Sequence, residues 1–136
     1  MELRIQVLYK MNVYLAIAFG GSLGAILRYW VSSRTYLWLG SEFPFGTLMV
    51  NVTGSFLMGF LALLLTEKIA VPEELRFALL VGFLGSYTTF STFALDGLQA
   101  LDDGLMLKFS MYVLISLGGS LAGVWMGAMA ARLFLR

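Results

Sequence analysis

The 136-residue chain contains no cysteine and no histidine, and only 12% of its residues are charged. Without cysteine there is no disulfide, no thiol nucleophile and no thiolate metal site. Without histidine the commonest general base and the commonest neutral metal ligand are both missing. Together these absences argue against a hydrolase or a transition-metal enzyme. The formal net charge is +1, and no basic block offers a surface to nucleic acid. Hydrophobic residues, in contrast, make up 60% of the chain, and the mean hydropathy is +0.86. A soluble domain of this size needs far more charged surface. Fifteen glycines and eight methionines suit closely packed membrane helices.

A bilayer core of about 30 Å is crossed by roughly 20 apolar residues in a helix. Four stretches meet that length, at about residues 13–33, 45–66, 75–100 and 105–134. The sequence therefore predicts an all-α membrane protein with four transmembrane helices. The first stretch is too long for a cleaved signal peptide and lacks a clear small-residue cleavage site, so it reads as a retained span. Residues 1–12 form an N-terminal extension with Glu2, Arg4 and Lys10, and Met11 is an alternative start. Residues 13–136 form one domain. The connections are short. The first carries Glu42, Tyr36 and Trp38, which with Tyr29 and Trp30 suit a membrane interface. In the second, Pro72 is placed at a first helical position, followed by Glu73 and Glu74. Asp102, Asp103 and Gly104 make a polar turn before the last span.

Four spans put both termini on one side. That side holds six basic residues (Arg4, Lys10, Lys68, Arg76, Arg132 and Arg136), against three on the other (Arg28, Arg34 and Lys108). The bias weakly favours cytoplasmic termini, and it is small enough to leave insertion in both orientations open. One copy of four short spans has little interior in which to shield a polar path from lipid. A homo-oligomer, at least a dimer, is the expected form.

The third span is the most informative. From Gly82 it reads Gly-Phe-Leu-Gly-Ser-Tyr-Thr-Thr-Phe-Ser-Thr-Phe. Two glycines and a run of hydroxyl residues are poor helix formers. They predict a helix broken near its centre, which survives in a membrane only where the freed backbone groups find partners. Unwound carbonyls can then hold a cation, and a half-helix N-terminus can attract an anion. In the second span Thr47, Asn51, Ser55 and Gly59 share one helix face. Asn51 offers a donor and an acceptor, for an ion or for a neighbouring helix. In the fourth span Tyr112, Ser116 and Ser120 form a hydroxyl stripe beside the glycines 119, 123 and 127, which suit close packing. Phe90 and Phe93 share a face, and the positive edge of an aromatic ring can contact a desolvated anion. Gly20, Gly21 and Gly24 allow close approach in span one, and Arg28 beyond them suits an anion-attracting vestibule balanced by Asp96.

These residues together resemble the Fluc (CrcB-like) family of microbial fluoride channels. The resemblance rests on Gly20 through Tyr29 (Gly-Gly-Ser-Leu-Gly-Ala-Ile-Leu-Arg-Tyr), on Gly46 through Phe56 (Gly-Thr-Leu-Met-Val-Asn-Val-Thr-Gly-Ser-Phe), and on Gly82 through Phe93. It runs from Val13 onward. It implies an antiparallel dual-topology homodimer in the bacterial inner membrane, with two fluoride pores and a structural sodium ion at the dimer centre. By resemblance the backbone carbonyls of Gly85 and Thr88 bind that ion. Phe90 and Phe93 match the pore phenylalanines, Asn51 the pore asparagine, and Tyr112, Ser116 and Ser120 the polar track. Thr47, Thr89, Ser91 and Thr92 are expected beside them. An antiparallel dimer needs both orientations, against the six-to-three basic bias, and the resemblance carries more weight than that small count.

The expected activity is passive fluoride export, with pore donors replacing the ion's water and a narrow path excluding chloride. Two other membrane readings compete. A small dual-topology multidrug transporter needs a membrane-embedded carboxylate for proton coupling, and no span centre here carries one. A non-conducting assembly subunit needs neither the broken helix nor the hydroxyl stripe. An enzyme ranks last, because no histidine or buried acid stands ready to activate Ser91 or Thr92.

Overall fold

The computed structural model describes residues 2–67, 69 and 71–134. The side chains of residues 2–9 and of Glu67 fall outside the description, so Arg4, Lys68 and Arg136 of the basic count lie beyond it. Four helical stretches are long and apolar enough to cross a membrane: Lys10–Leu39, Phe45–Thr66, Glu73–Asp102 and Met106–Phe134. The first belongs to a single helix α1, Glu2–Leu39, so the N-terminal extension and the first span are continuous. Helix α2 is Phe45–Glu67 and the last span is α6, Met106–Phe134.

The third span is built from four pieces. Helix α3 covers Glu73–Phe77, a π-helical segment covers Ala78–Leu84, α4 covers Gly85–Tyr87, and α5 covers Phe90–Asp102. The expected break is present, displaced from the glycines. Gly82 and Gly85 stay helical, while Thr88 and Thr89 are extended at ψ 159° and 117°. The π-helical turn was not foreseen. Such turns are rare and are frequently found at functional sites.

Glycines set how closely the helices approach. A Cβ on Gly20 would collide with the Ala78 carbonyl oxygen, and one on Gly24 with that of Phe83. A Cβ on Gly82 would lie 2.5 Å from the Ile17 carbonyl oxygen. Backbone therefore rests on backbone where α1 crosses the π-helical segment. The stripe on α6 does the same against α2. Gly127 faces the Phe56 carbonyl, Gly123 the Val52 carbonyl, and Gly59 on α2 faces the Val124 carbonyl. Lipid tails are as apolar as leucine, so close van der Waals contact of this kind is what holds membrane helices together.

The ends follow ordinary capping chemistry. Gly40 (φ 79°) and Gly104 (φ 71°) close α1 and α5 in the left-handed region that glycine tolerates. Gly40 N–H donates to Tyr36 O at 2.9 Å, and Gly104 N–H to Leu101 O at 2.9 Å. Pro72 stands one position earlier than expected. It caps α3, its carbonyl accepting from Leu75 and Arg76, while Glu73 and Glu74 fill the first turn.

The interior is small, and Val50, Leu84, Tyr112 and Ala131 are its most buried members. Large apolar side chains point outward, with Phe19 68%, Leu114 72% and Trp125 65% exposed. Such a surface belongs in lipid, and the chain is a multi-pass membrane protein. Gly59→Ala is expected to lower stability by at least about 1 kcal/mol through overpacking. Gly118→Ala, where nothing lies within 4 Å, is expected to be neutral or mildly stabilising. Melting temperatures of the two variants in detergent check the contrast.

Candidate functional site

The break in the third span is held from α2. Asn51 Nδ2 donates to the Thr89 carbonyl at 2.9 Å, and Asn51 Oδ1 accepts from the Thr89 N–H at 2.7 Å. The side-chain amide thus pairs with both backbone polar groups of Thr89, one from each of the two peptide units that flank it. Thr89 also caps α5, its hydroxyl accepting from Thr92 N–H at 3.2 Å. The same hydroxyl donates to Thr92 Oγ1 at 2.9 Å and lies 3.3 Å from Ser91 Oγ. On the other side of the break Thr88 Oγ1 bonds back to Leu84 O.

Around the break lies an open groove of about 400 Å³ between α2, α5 and α6. Its polar lining comes from Asn51, Ser55, Thr88, Thr89, Ser116 and Ser120, and its rings from Phe90 and Phe93. Among the described residues no charged side chain lines it. Asn51 commits one amide N–H to Thr89 and has a second to give. Ser116 is only 5% exposed, and its hydroxyl has no hydrogen-bond partner among the described residues. A buried hydroxyl left unpaired is costly, and such groups are uncommon. Phe90 and Phe93 sit 5.4 Å apart, tilted at 46°, with Phe90 73% exposed at the open side.

Beyond Phe93 the groove gives way to a second, polar cavity of about 360 Å³. It is lined by Tyr36, Ser41, Asp96, Gln99, Asp103 and Lys108, among others. The Phe93 and Tyr112 rings are 5.1 Å apart between the two spaces. Asp96 Oδ2 accepts from Thr47 Oγ1 at 2.7 Å and from Tyr112 Oη at 3.1 Å. Tyr36 Oη lies 3.5 Å from Thr47 Oγ1.

The structure therefore divides the residues singled out from the sequence. Asn51, Thr89, Phe90, Phe93, Ser116 and Ser120 share the groove, and Thr47 and Tyr112 stand at Asp96. Ser91 and Thr92 are exposed and turn to Thr89 instead of lining either space. Arg28 is not balanced by Asp96, as the sequence suggested. It reaches the break itself, donating to the Thr88 carbonyl at 3.5 Å. Asp96 was missed as a site residue because an acid near a span end ordinarily reads as interfacial. Ser55 was read only as part of a helix face.

Four lipid-facing helices, with a groove of mixed polar, aromatic and aliphatic lining between three of the spans, define a small polytopic membrane protein. A family model described as CrcB-like protein, Camphor Resistance (CrcB), matches residues 15–128, and the chain belongs to that family. A Methylococcus capsulatus protein named fluoride-specific ion channel FluC is 54% identical over 123 residues, which cover 90% of this chain and 54% of that protein. Proteins of the same name from Citrifermentans bemidjiense and Geobacter sulfurreducens are 42% and 43% identical, covering 88% and 90% of this chain. The chain spans about half the length of the first relative and 95% and 98% of the other two.

Ser116→Ala separates structure from function at this site. Removing an unpaired buried hydroxyl is expected to leave the melting temperature unchanged or raised. Anion flux is expected to fall. A clear loss of stability, read by thermal unfolding in detergent, would assign the hydroxyl to packing.

Proposed function

We propose that the protein is a fluoride-selective channel of the bacterial inner membrane, passing the ion passively down its gradient. The observation that carries this reading is a groove whose lining holds the Asn51 amide, several hydroxyls and the Phe90 and Phe93 rings, with no charged side chain among the described residues. Fluoride is small and tightly hydrated, so a path must replace its water with donors. The second N–H of Asn51 and the hydroxyls of Ser116 and Ser120 are available for this. The edges of Phe90 and Phe93 add a weaker, positive contact. Uncharged donors hold an anion loosely enough to release it, which conduction requires. A larger, softer anion gains less from the same donors. The names of the relatives support the choice of ion.

The groove is open along one side, with Phe90 exposed there. In a membrane that side would face lipid, so a second copy completes the path in this reading. An antiparallel homodimer with two pores needs both orientations in the bilayer, which the small basic bias opposes only weakly. A structural sodium ion fits the break. Thr89 N–H turns to Asn51, so the Gly85 carbonyl loses its helical donor. Among the described residues the Thr88 carbonyl has only the long contact to Arg28. Carbonyl oxygens freed in this way suit a hard cation. One chain offers two, and a twofold axis would double them. The ion would fix the two breaks against each other.

A multidrug transporter is disfavoured by the engagement of Asp96, whose carboxylate is bonded to Thr47 and Tyr112.

Liposomes carrying the purified protein are expected to release fluoride rapidly and chloride negligibly. Phe93→Ile is expected to cut fluoride release at least tenfold while leaving the assembly intact by size-exclusion chromatography. Equal release of the two anions by wild-type protein would refute the reading.

A further inference from the structure

A third cavity, of about 390 Å³, lies away from the proposed ion path and shares no lining residue with it. It is a groove on α1 that reaches α2 at Met49, lined by Trp30, Val31, Arg34, Thr35, Trp38 and Met49. Trp30, Arg34 and Trp38 are spaced by four and so stand in one row on α1. Trp30 is 56% and Trp38 83% exposed. The Arg34 guanidinium lies over the Trp30 ring, 6.0 Å from its centre. Among the described residues no carboxylate pairs with it. The Thr35 hydroxyl is spent on Val31 O at 2.8 Å. The groove thus has an apolar floor and a single cation available to an incoming ligand.

We infer that this groove binds one anionic phospholipid, its phosphate on Arg34 and an acyl chain against Val31 and Met49. The position fits, because tryptophans at a helix end mark the headgroup level of a bilayer. The charge fits too. A guanidinium pairs with phosphate oxygens through parallel N–H groups, and stacking on an aromatic face holds it in place. A free inorganic anion would satisfy Arg34 and leave the apolar floor empty. A zwitterionic lipid would fill the floor but neutralise the headgroup field. The lipid would brace α1 against α2 beside the loop that joins them.

The test titrates detergent-purified protein with phosphatidylglycerol or phosphatidylcholine and counts bound lipids by native mass spectrometry. Wild-type protein is expected to favour phosphatidylglycerol about fivefold, the order of one cation beside an anionic headgroup. Arg34→Gln is expected to abolish that preference, and Arg34→Lys to keep part of it. Fluoride efflux by Arg34→Gln should remain within twofold of wild type, since the groove is separate from the path. The lipid count does not depend on conduction, so it stands even if the channel reading fails. Equal binding of the two lipids by wild type, or an undiminished preference in Arg34→Gln, would overturn the inference. So would displacement of the lipid by inorganic phosphate, or disulfide formation between two copies carrying Trp30→Cys, which would assign the groove to a second chain.

Discussion

The two hydrogen bonds between the Asn51 amide and the Thr89 backbone N–H and C=O are the constraint on which the rest depends. A helix broken inside a bilayer exposes peptide groups that hydrocarbon cannot solvate, and each unpaired group costs several kcal/mol. An asparagine side chain has the donor and acceptor of a peptide group and can replace the missing backbone partners. With Thr89 held, α5 begins at Phe90 and turns its N-terminus toward the groove. The amides of its first turn lack intrahelical acceptors and carry the positive end of the helix dipole. The same break frees the carbonyls before it. One interaction therefore puts donors on one side of the break and acceptors on the other.

The surrounding bundle keeps that break in place. Glycine contacts bring α1 onto the π-helical segment and α2 onto α6 at backbone distance. The π-helical geometry of Ala78–Leu84 shifts the turn register just before the break. It accompanies the seating of the Ala78 and Phe83 carbonyls over Gly20 and Gly24. The consequence is functional, since α2 brings Asn51 and α6 brings Ser116 to the same groove. A shift of one helix by a methyl group would separate the donors.

Much of this was legible in the residues. Span lengths and the absence of histidine and cysteine bounded the class, and the hydroxyl run marked where the third helix fails. Helical spacing put Asn51 and Ser55 on one face and Ser116 and Ser120 on another. Other features depend on tertiary contacts that spacing does not encode. The break fell at Thr88 and Thr89, where Asn51 holds the Thr89 backbone, while Gly82 packs against α1. Arg28 turned to Thr88 O, and Asp96 gathered Thr47 and Tyr112 from two other helices. The π-helical turn has no evident signature in the residues of Ala78–Leu84. The family resemblance supplied the ion, which no spacing could.

The most direct test of the account is amide hydrogen exchange at Thr89, compared between wild-type protein and Asn51→Ala. The account predicts strong protection of this amide in wild type, although it lies outside any helix, and exchange at least tenfold faster in the variant. Equal exchange rates in the two proteins would contradict it, because Asn51 would then not hold the break.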